Sequence, residues 1–136
     1  MNIENDLFLE YKKYILANSK YSPEIYNDTP QQLSKYPTIL FLENDSSNDT
    51  SSTEKSEYID TLQYKIEIYS KNQSEGNKLI ARKIITNELK YLTNEFLRQF
   101  NLNRTSCTKG EYLDLNVDRT IIIAECSIYS WNGKIR

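Results

Sequence analysis

The sequence predicts an α+β domain in the order α-β-β-α-β-β, with a mostly antiparallel sheet and helices packed on one of its faces. Three observations predict it. Apolar residues recur at three- and four-residue spacing over 3–18 and again in a long stretch ending at Phe100. Residues Leu62 to Tyr69 alternate strictly between apolar and polar. Two short runs, Thr38-Ile39-Leu40-Phe41-Leu42 and Ile121-Ile122-Ile123, are too apolar for a strand with only one covered face. At 136 residues the chain fits a single domain, 1–136.

The first helix, over 3–18, places Ile3, Leu7, Phe8, Tyr11, Tyr14 and Ile15 on one face, with Glu4, Glu10, Lys12 and Lys13 opposite. Residues 19–37 read as an irregular connection punctuated by Pro23, Pro30 and Pro37, with one helical turn over Gln31 to Ser34. The apolar run 38–42 is the first strand. From Glu43 to Glu57 there is no hydrophobic residue at all, so this stretch has nothing to bury and reads as a long polar arm at about 44–57. The alternating strand follows, with Leu62, Tyr64, Ile66 and Ile68 on one side and Gln63, Lys65, Glu67 and Tyr69 on the other.

A turn at Asn72 to Gly76 leads into a long helix expected to start at Ser74 or Glu75 and to run to about Phe100. Ala81, Ile84, Ile85, Leu89, Leu92, Phe96 and Phe100 form its apolar stripe, and Asn101 is its C-terminal cap. Leu102 to Thr108 reads as a polar strand, and Tyr112, Leu113, Leu115 and Val117 as a second extended piece. The strand Arg119 to Trp131 closes the sheet, with Ile122, Ala124, Cys126 and Ile128 sharing a face.

Seventeen basic against 19 acidic residues give a net charge of −2, which excludes a protein that coats a polyanion through bulk charge. Histidine is absent, which removes the commonest general base and metal ligand. No run of 18 apolar residues exists to span a membrane. The opening Met1-Asn2-Ile3-Glu4-Asn5-Asp6 lacks the basic and apolar regions of a signal peptide, so the expectation is a protein made and kept in the cytoplasm. Cys107 and Cys126 read as small buried hydrophobes; they could bridge only if their strands pair.

The search for catalytic groups returns little. No base accompanies a serine or cysteine nucleophile, and Gly76, Gly110 and Gly133 are too far apart for a phosphate-cradling loop. A metal-dependent nuclease needs clustered carboxylates with a lysine nearby. Glu88 and Lys90 lie two apart on a helix and diverge, while Glu111, Asp114 and Asp118 read as a solvated acidic turn. Lys78, Arg82, Lys83, Lys90 and Arg98 give the long helix a basic bias that Glu75, Glu88 and Glu95 dilute. No catalytic residue, cofactor or metal is expected. The informative features are the polar arm and the two over-apolar runs, which imply a partner surface.

Tyr36-Pro37-Thr38-Ile39-Leu40-Phe41-Leu42-Glu43 precedes the Ser/Thr/Asn-rich stretch, and Tyr64-Lys65-Ile66-Glu67-Ile68-Tyr69-Ser70 and Gly76-Asn77-Lys78 follow it. Arg104-Thr105-Ser106-Cys107 and Arg119-Thr120-Ile121-Ile122 complete the series. In order and local wording, over roughly 3–130, this resembles the tail terminator (tail completion or head–tail joining, sometimes minor capsid) proteins of Gram-positive phages and phage-tail-like bacteriocins. Thr108-Lys109-Gly110-Glu111 lacks the Pro that the family often carries there.

The resemblance implies a non-enzymatic virion protein, assembled in the bacterial host cytoplasm. Its copies would form a ring, usually a hexamer, that caps the tail tube, stops its growth and docks to the head connector. Six copies at −2 each carry −12, which suits a lumen that lets DNA slide through without specific binding. Partners are then further copies of the chain, the tube protein and the head-side connector. The interface is expected at Asp45, Thr50, Glu54, Lys55 and Tyr58 in the arm and at Ile121, Ile123 and Tyr129 on the last strand. The rival readings are a head-completion or connector-stopper protein and, in another class, a small metal-dependent nuclease or DNA-binding protein of a mobile element.

Overall fold

The computed structural model describes residues 3–43 and 61–127. They form α1 (Ile3–Asn18), β1 (Glu24–Tyr26), β2 (Thr38–Glu43), β3 (Thr61–Ser70), β4 (Gln73–Glu75), β5 (Lys78–Ile80), α2 (Arg82–Gln99), β6 (Asn103–Gly110) and β7 (Asp118–Ser127). The class is α+β, as expected, and the order carries three short strands beyond the α-β-β-α-β-β frame. Five strands build one sheet in the order β1-β2-β3-β7-β6. β1 and β2 are parallel and the remaining pairs antiparallel.

Both helices cover one face of the sheet. Leu7, Tyr11 and Ile15 of α1 and Ile85, Leu89, Phe96 and Leu97 of α2 pack with Ile39, Phe41, Tyr64, Ile66, Ile68, Ile122 and Ala124 in one buried core. Aromatic contacts bind the layers, with the Tyr11 ring tilted against Phe41 at 4.8 Å and edge-on to Phe96 at 5.1 Å between centroids. The Tyr11 hydroxyl is hydrogen-bonded to Thr93 Oγ1 at 2.8 Å, so the phenol is buried with its polar end satisfied. Burial still pushes its pKa well above the ordinary tyrosine value, against the smaller opposing effect of the Thr93 bond.

Several expectations are corrected. The long helix does not begin at Ser74 or Glu75, because Gly76-Asn77 is the two-residue turn of a β4–β5 hairpin in which Glu75 faces Lys78. Gly76 has φ +64°, which a side chain disfavours and this class of hairpin turn requires. α2 therefore starts at Arg82 and keeps the apolar stripe assigned to it except at its start, where Ala81 and Ile84 are exposed.

Its end is as expected. Asn101 takes φ +60°, and the N–H groups of Asn101 and Leu102 donate to the carbonyls of Arg98 and Leu97, closing the last turn. Residues 31–34 form bends with no helical turn, and 111–117 is a loop with no strand. β6 and β7 do pair, but Cys107 stands opposite Ile122, four residues from Cys126, beyond the reach of a disulfide.

The apolar run Thr38–Leu42 is covered on both faces, and over Thr38–Phe41 the partner surface expected from its excess of apolar residues is supplied by the chain itself. Thr38, Ile39, Leu40 and Phe41 are all buried within the chain itself. The loop between β1 and β2 folds over the sheet face away from the helices. Leu33 and Tyr36, with Tyr26 and Tyr112, pack around Leu40, Tyr69 and Val117 as a second, smaller core.

Candidate interaction surface

On the face of the sheet away from the helices, register fixes a grid. Leu40, Glu67, Ile121 and Thr108 lie in one row, and Leu42, Lys65, Ile123 and Ser106 in the next. Glu67 is buried at the centre, only 4% exposed. Its carboxylate accepts hydrogen bonds from the Tyr69 hydroxyl and, at 3.3 and 3.1 Å, from Nε and Nη2 of Arg119; Lys65 Nζ lies 3.2 Å from its other oxygen.

Burial pushes the Glu67 carboxyl up, but the bonds from Tyr69 and Lys65 and the Arg119 charge outweigh it and hold the carboxyl below its ordinary range. Burial, and then the bond to Glu67, pushes Tyr69 well above the ordinary phenol. Gly110, opposite Arg119 in the register, leaves room for this arrangement. A Cβ there would come within 3.0 Å of Arg119 Cδ and 2.9 Å of Ile121 Cδ1.

The same arginine braces the loop that follows β6. Arg119 Nη1 donates to the Glu111 carbonyl at 3.1 Å, and Arg82 Nη1 to that of Asn116 at 3.3 Å. Asp114 carries the turn: its carboxylate accepts from the Asn116 N–H at 2.9 Å, its carbonyl accepts from the Val117 N–H at 3.1 Å, and Lys71 pairs with it at 3.8 Å. Tyr112 turns inward and meets the Tyr69 ring edge-on at 5.1 Å. Burial, and then the bond to Tyr112, pushes the Tyr36 phenol beside them up to about 12.

What this framework holds out is apolar. Leu113 is 99% and Leu115 86% exposed, and Leu79 on the neighbouring hairpin is 69% exposed. Leucines this bare on a loop tied at both ends form a surface that none of the described residues covers.

The residues expected at the interface divide. Ile121 and Ile123 are half-buried on the sheet face away from the helices, beside Leu42 and the Glu67 cluster. Asp45, Thr50, Glu54, Lys55, Tyr58 and Tyr129 lie outside the described residues. Leu113 and Leu115 are not among the expected interface residues, because the spacing Tyr-Leu-Asp-Leu-Asn-Val reads as a strand. The one available signal was the density of Asp and Asn at 114, 116 and 118, which favours turns.

The carboxylates weighed for metal chemistry are spread through the fold in supporting roles. Glu88 accepts from Ser19 Oγ at 2.8 Å and from the Lys20 N–H at 3.2 Å, pinning the chain as it leaves α1. Asp118 pairs with Arg82 at 2.9 Å, and Asp114 is committed to its own turn. Among the described residues no three of His, Cys, Asp and Glu gather closely enough to hold a metal ion. No described helix is long and apolar enough to cross a membrane. The chain matches no protein-family model and no curated protein.

Proposed function

We propose that the chain is a structural, non-enzymatic subunit of the neck of a tailed phage or phage-tail-like particle. Its copies close into a ring, six in the leading reading, that caps the tail tube, ends its growth and joins it to the head connector. The observation that carries this reading is the braced loop presenting Leu113 and Leu115. Its hydrogen bonds fix the backbone, the two side chains are uncovered by the described residues, and they gain their burial from another subunit or ring.

Half-exposed Ile121 and Ile123 add apolar area on a second face, as a head-to-tail ring requires two different surfaces per subunit. The ordered resemblance from Tyr36 to Ile122 supplies the particle. The test replaces Leu113 and Leu115 with Asp, or deletes 45–57, in a particle-producing strain. The expected result is a folded chain with tails of irregular length that fail to join heads. Normal-length, joined particles from both variants would sink the proposal. Density for the ring on the portal side of the joint, away from the tube, would replace it with the connector-stopper reading.

A further inference from the structure

Between the N-terminal half of α2 and strands β6 and β7 lies an open groove of about 490 Å³. Its lining is strongly cationic, with Arg82, Lys83, Lys90 and Lys109 against the single carboxylate of Asp118. Arg82 is already paired with that carboxylate. Among the described residues Lys83, Lys90 and Lys109 have no carboxylate within 4 Å.

The end of α2 adds to the field. Ala81 offers no side-chain cap and the first turn holds no acidic residue, so the positive end of the helix dipole meets no charge on the helix itself, and the Arg82 N–H is taken up by the neutral Asn72 Oδ1 at 2.8 Å. Thr86 also lines the groove, is 7% exposed, and its Oγ1 has no hydrogen-bond partner among the described residues. A buried hydroxyl without a partner costs stability unless a ligand satisfies it.

These features call for an anion, and the chain carries an acidic segment of which a few residues at a time would fill the groove. The 18 residues 43–60 contain six acidic residues (Glu43, Asp45, Asp49, Glu54, Glu57, Asp60) and one basic, Lys55. That segment is −5. The rest of the chain, left with 16 basic and 13 acidic residues, is +3, and the two make the net −2. The two parts therefore attract each other.

We propose that the groove takes the acidic 43–60 segment of a second copy of the chain. Geometry favours another copy over the chain's own segment. The segment leaves the sheet at Glu43 and re-enters at Thr61, whereas the groove lies beside Thr120, which pairs with Ile68. Seven residues of strand, about 23 Å, separate the two positions along β3.

Lys83 and Lys90 are two helical turns apart, about 10.5 Å on one face of α2, so one acidic segment laid along that face meets both. The inference rests on the ring reading and gives it one of its subunit contacts, with the groove of one copy holding the segment of the next.

The test titrates a fluorescent peptide of residues 43–60 into the full chain, wild type and K83E/K90E/K109E, with circular dichroism checking the fold. The expected result is salt-sensitive binding that falls at least tenfold in the triple variant. A peptide with Glu54 and Glu57 changed to Lys recovers binding to that variant. In peptide-resolved alkylation, Cys107, which lines the groove, is protected by the wild-type peptide.

Absence of peptide binding, or equal binding by both proteins, overturns the inference. So does duplex DNA that binds the wild type but not the triple variant while the peptide binds neither. Rings that form unchanged with K83E/K90E/K109E sink the groove assignment and leave the neck reading intact. Peptide capture by a chain that never engages tail tubes sinks the neck reading and leaves the groove assignment standing.

Discussion

The two faces of the one sheet are held by different physics. Toward the helices, Tyr64, Ile66, Ile68, Ile122 and Ala124 are sealed in a continuous apolar core. On the other face, the same strands place Glu67 at the centre of a network with Lys65, Tyr69 and Arg119, and leave Ile121 and Ile123 half open. Burial on the helix side is non-directional and follows from alternation alone. Burial of the Glu67 carboxylate depends on Lys65 and Tyr69 beside it on β3 and on Arg119 brought across from β7, and removing Arg119 leaves a buried charge poorly compensated. The helix face therefore supplies most of the stability, while the opposite face couples that stability to the loop that displays Leu113 and Leu115.

The sharpest break of this contrast is Phe96→Ala. It empties a fully buried ring position between α1 and α2 and should cost about 3–5 kcal/mol in denaturant unfolding. Next is Glu67→Gln, which keeps the shape but strands Arg119 and Lys65. About 2–3 kcal/mol is expected, together with faster amide exchange in 111–117, since Arg119 also holds that loop.

Acid unfolding sharpens the same point. The folded Glu67 carboxyl lies below its unfolded value, so its contribution is present above the unfolded pKa and is lost as pH falls through the folded one. Glu67→Gln should flatten the acid limb of the stability curve, and an unchanged limb would count against the network. At the alkaline end the sign is opposite. Tyr11, Tyr36 and Tyr69 are raised, so they add stability that is complete below the unfolded phenol value and lost as pH rises through the folded values. Tyr11→Phe, with less to lose above about pH 10, should resist alkaline unfolding better than the wild type.

The smallest effect on stability belongs to Leu113→Asp and Leu115→Asp. They should shift unfolding by no more than about 0.5 kcal/mol, because the side chains are already in water. A large destabilisation would mean the loop is part of the chain's own core and would undo its assignment as a docking surface.

The elements with a clear period were legible before the fold was known. The stripe of α1 with Leu7, Tyr11 and Ile15, the alternation of Tyr64, Ile66 and Ile68, and the Asn101 cap each follow from local spacing or local backbone chemistry. The hairpin over Gln73–Ile80 is not legible in the sequence, because Asn72–Gly76 reads as a turn into a helix beginning at Ser74 or Glu75, whereas Gly76-Asn77 joins two short strands. The candidate surface was less legible. Ile121 and Ile123 follow from an excess of apolar residues, whereas the exposure of Leu113 and Leu115 depends on Arg119 of β7, Arg82 of α2 and Lys71 just after β3.

By itself, then, the sequence determined the α+β class, the two amphipathic helices, the central alternating strand and the charge division between 43–60 and the rest. Each depends only on the order of residues along the chain. Tertiary structure alone decided that Leu40 is covered by Leu33 and Tyr36, that Glu67 is buried among cations, and that three lysines from α2 and β6 share one groove. Those outcomes depend on which distant segments the sheet brings together, and strand order and register, unlike periodicity, are written in no local stretch.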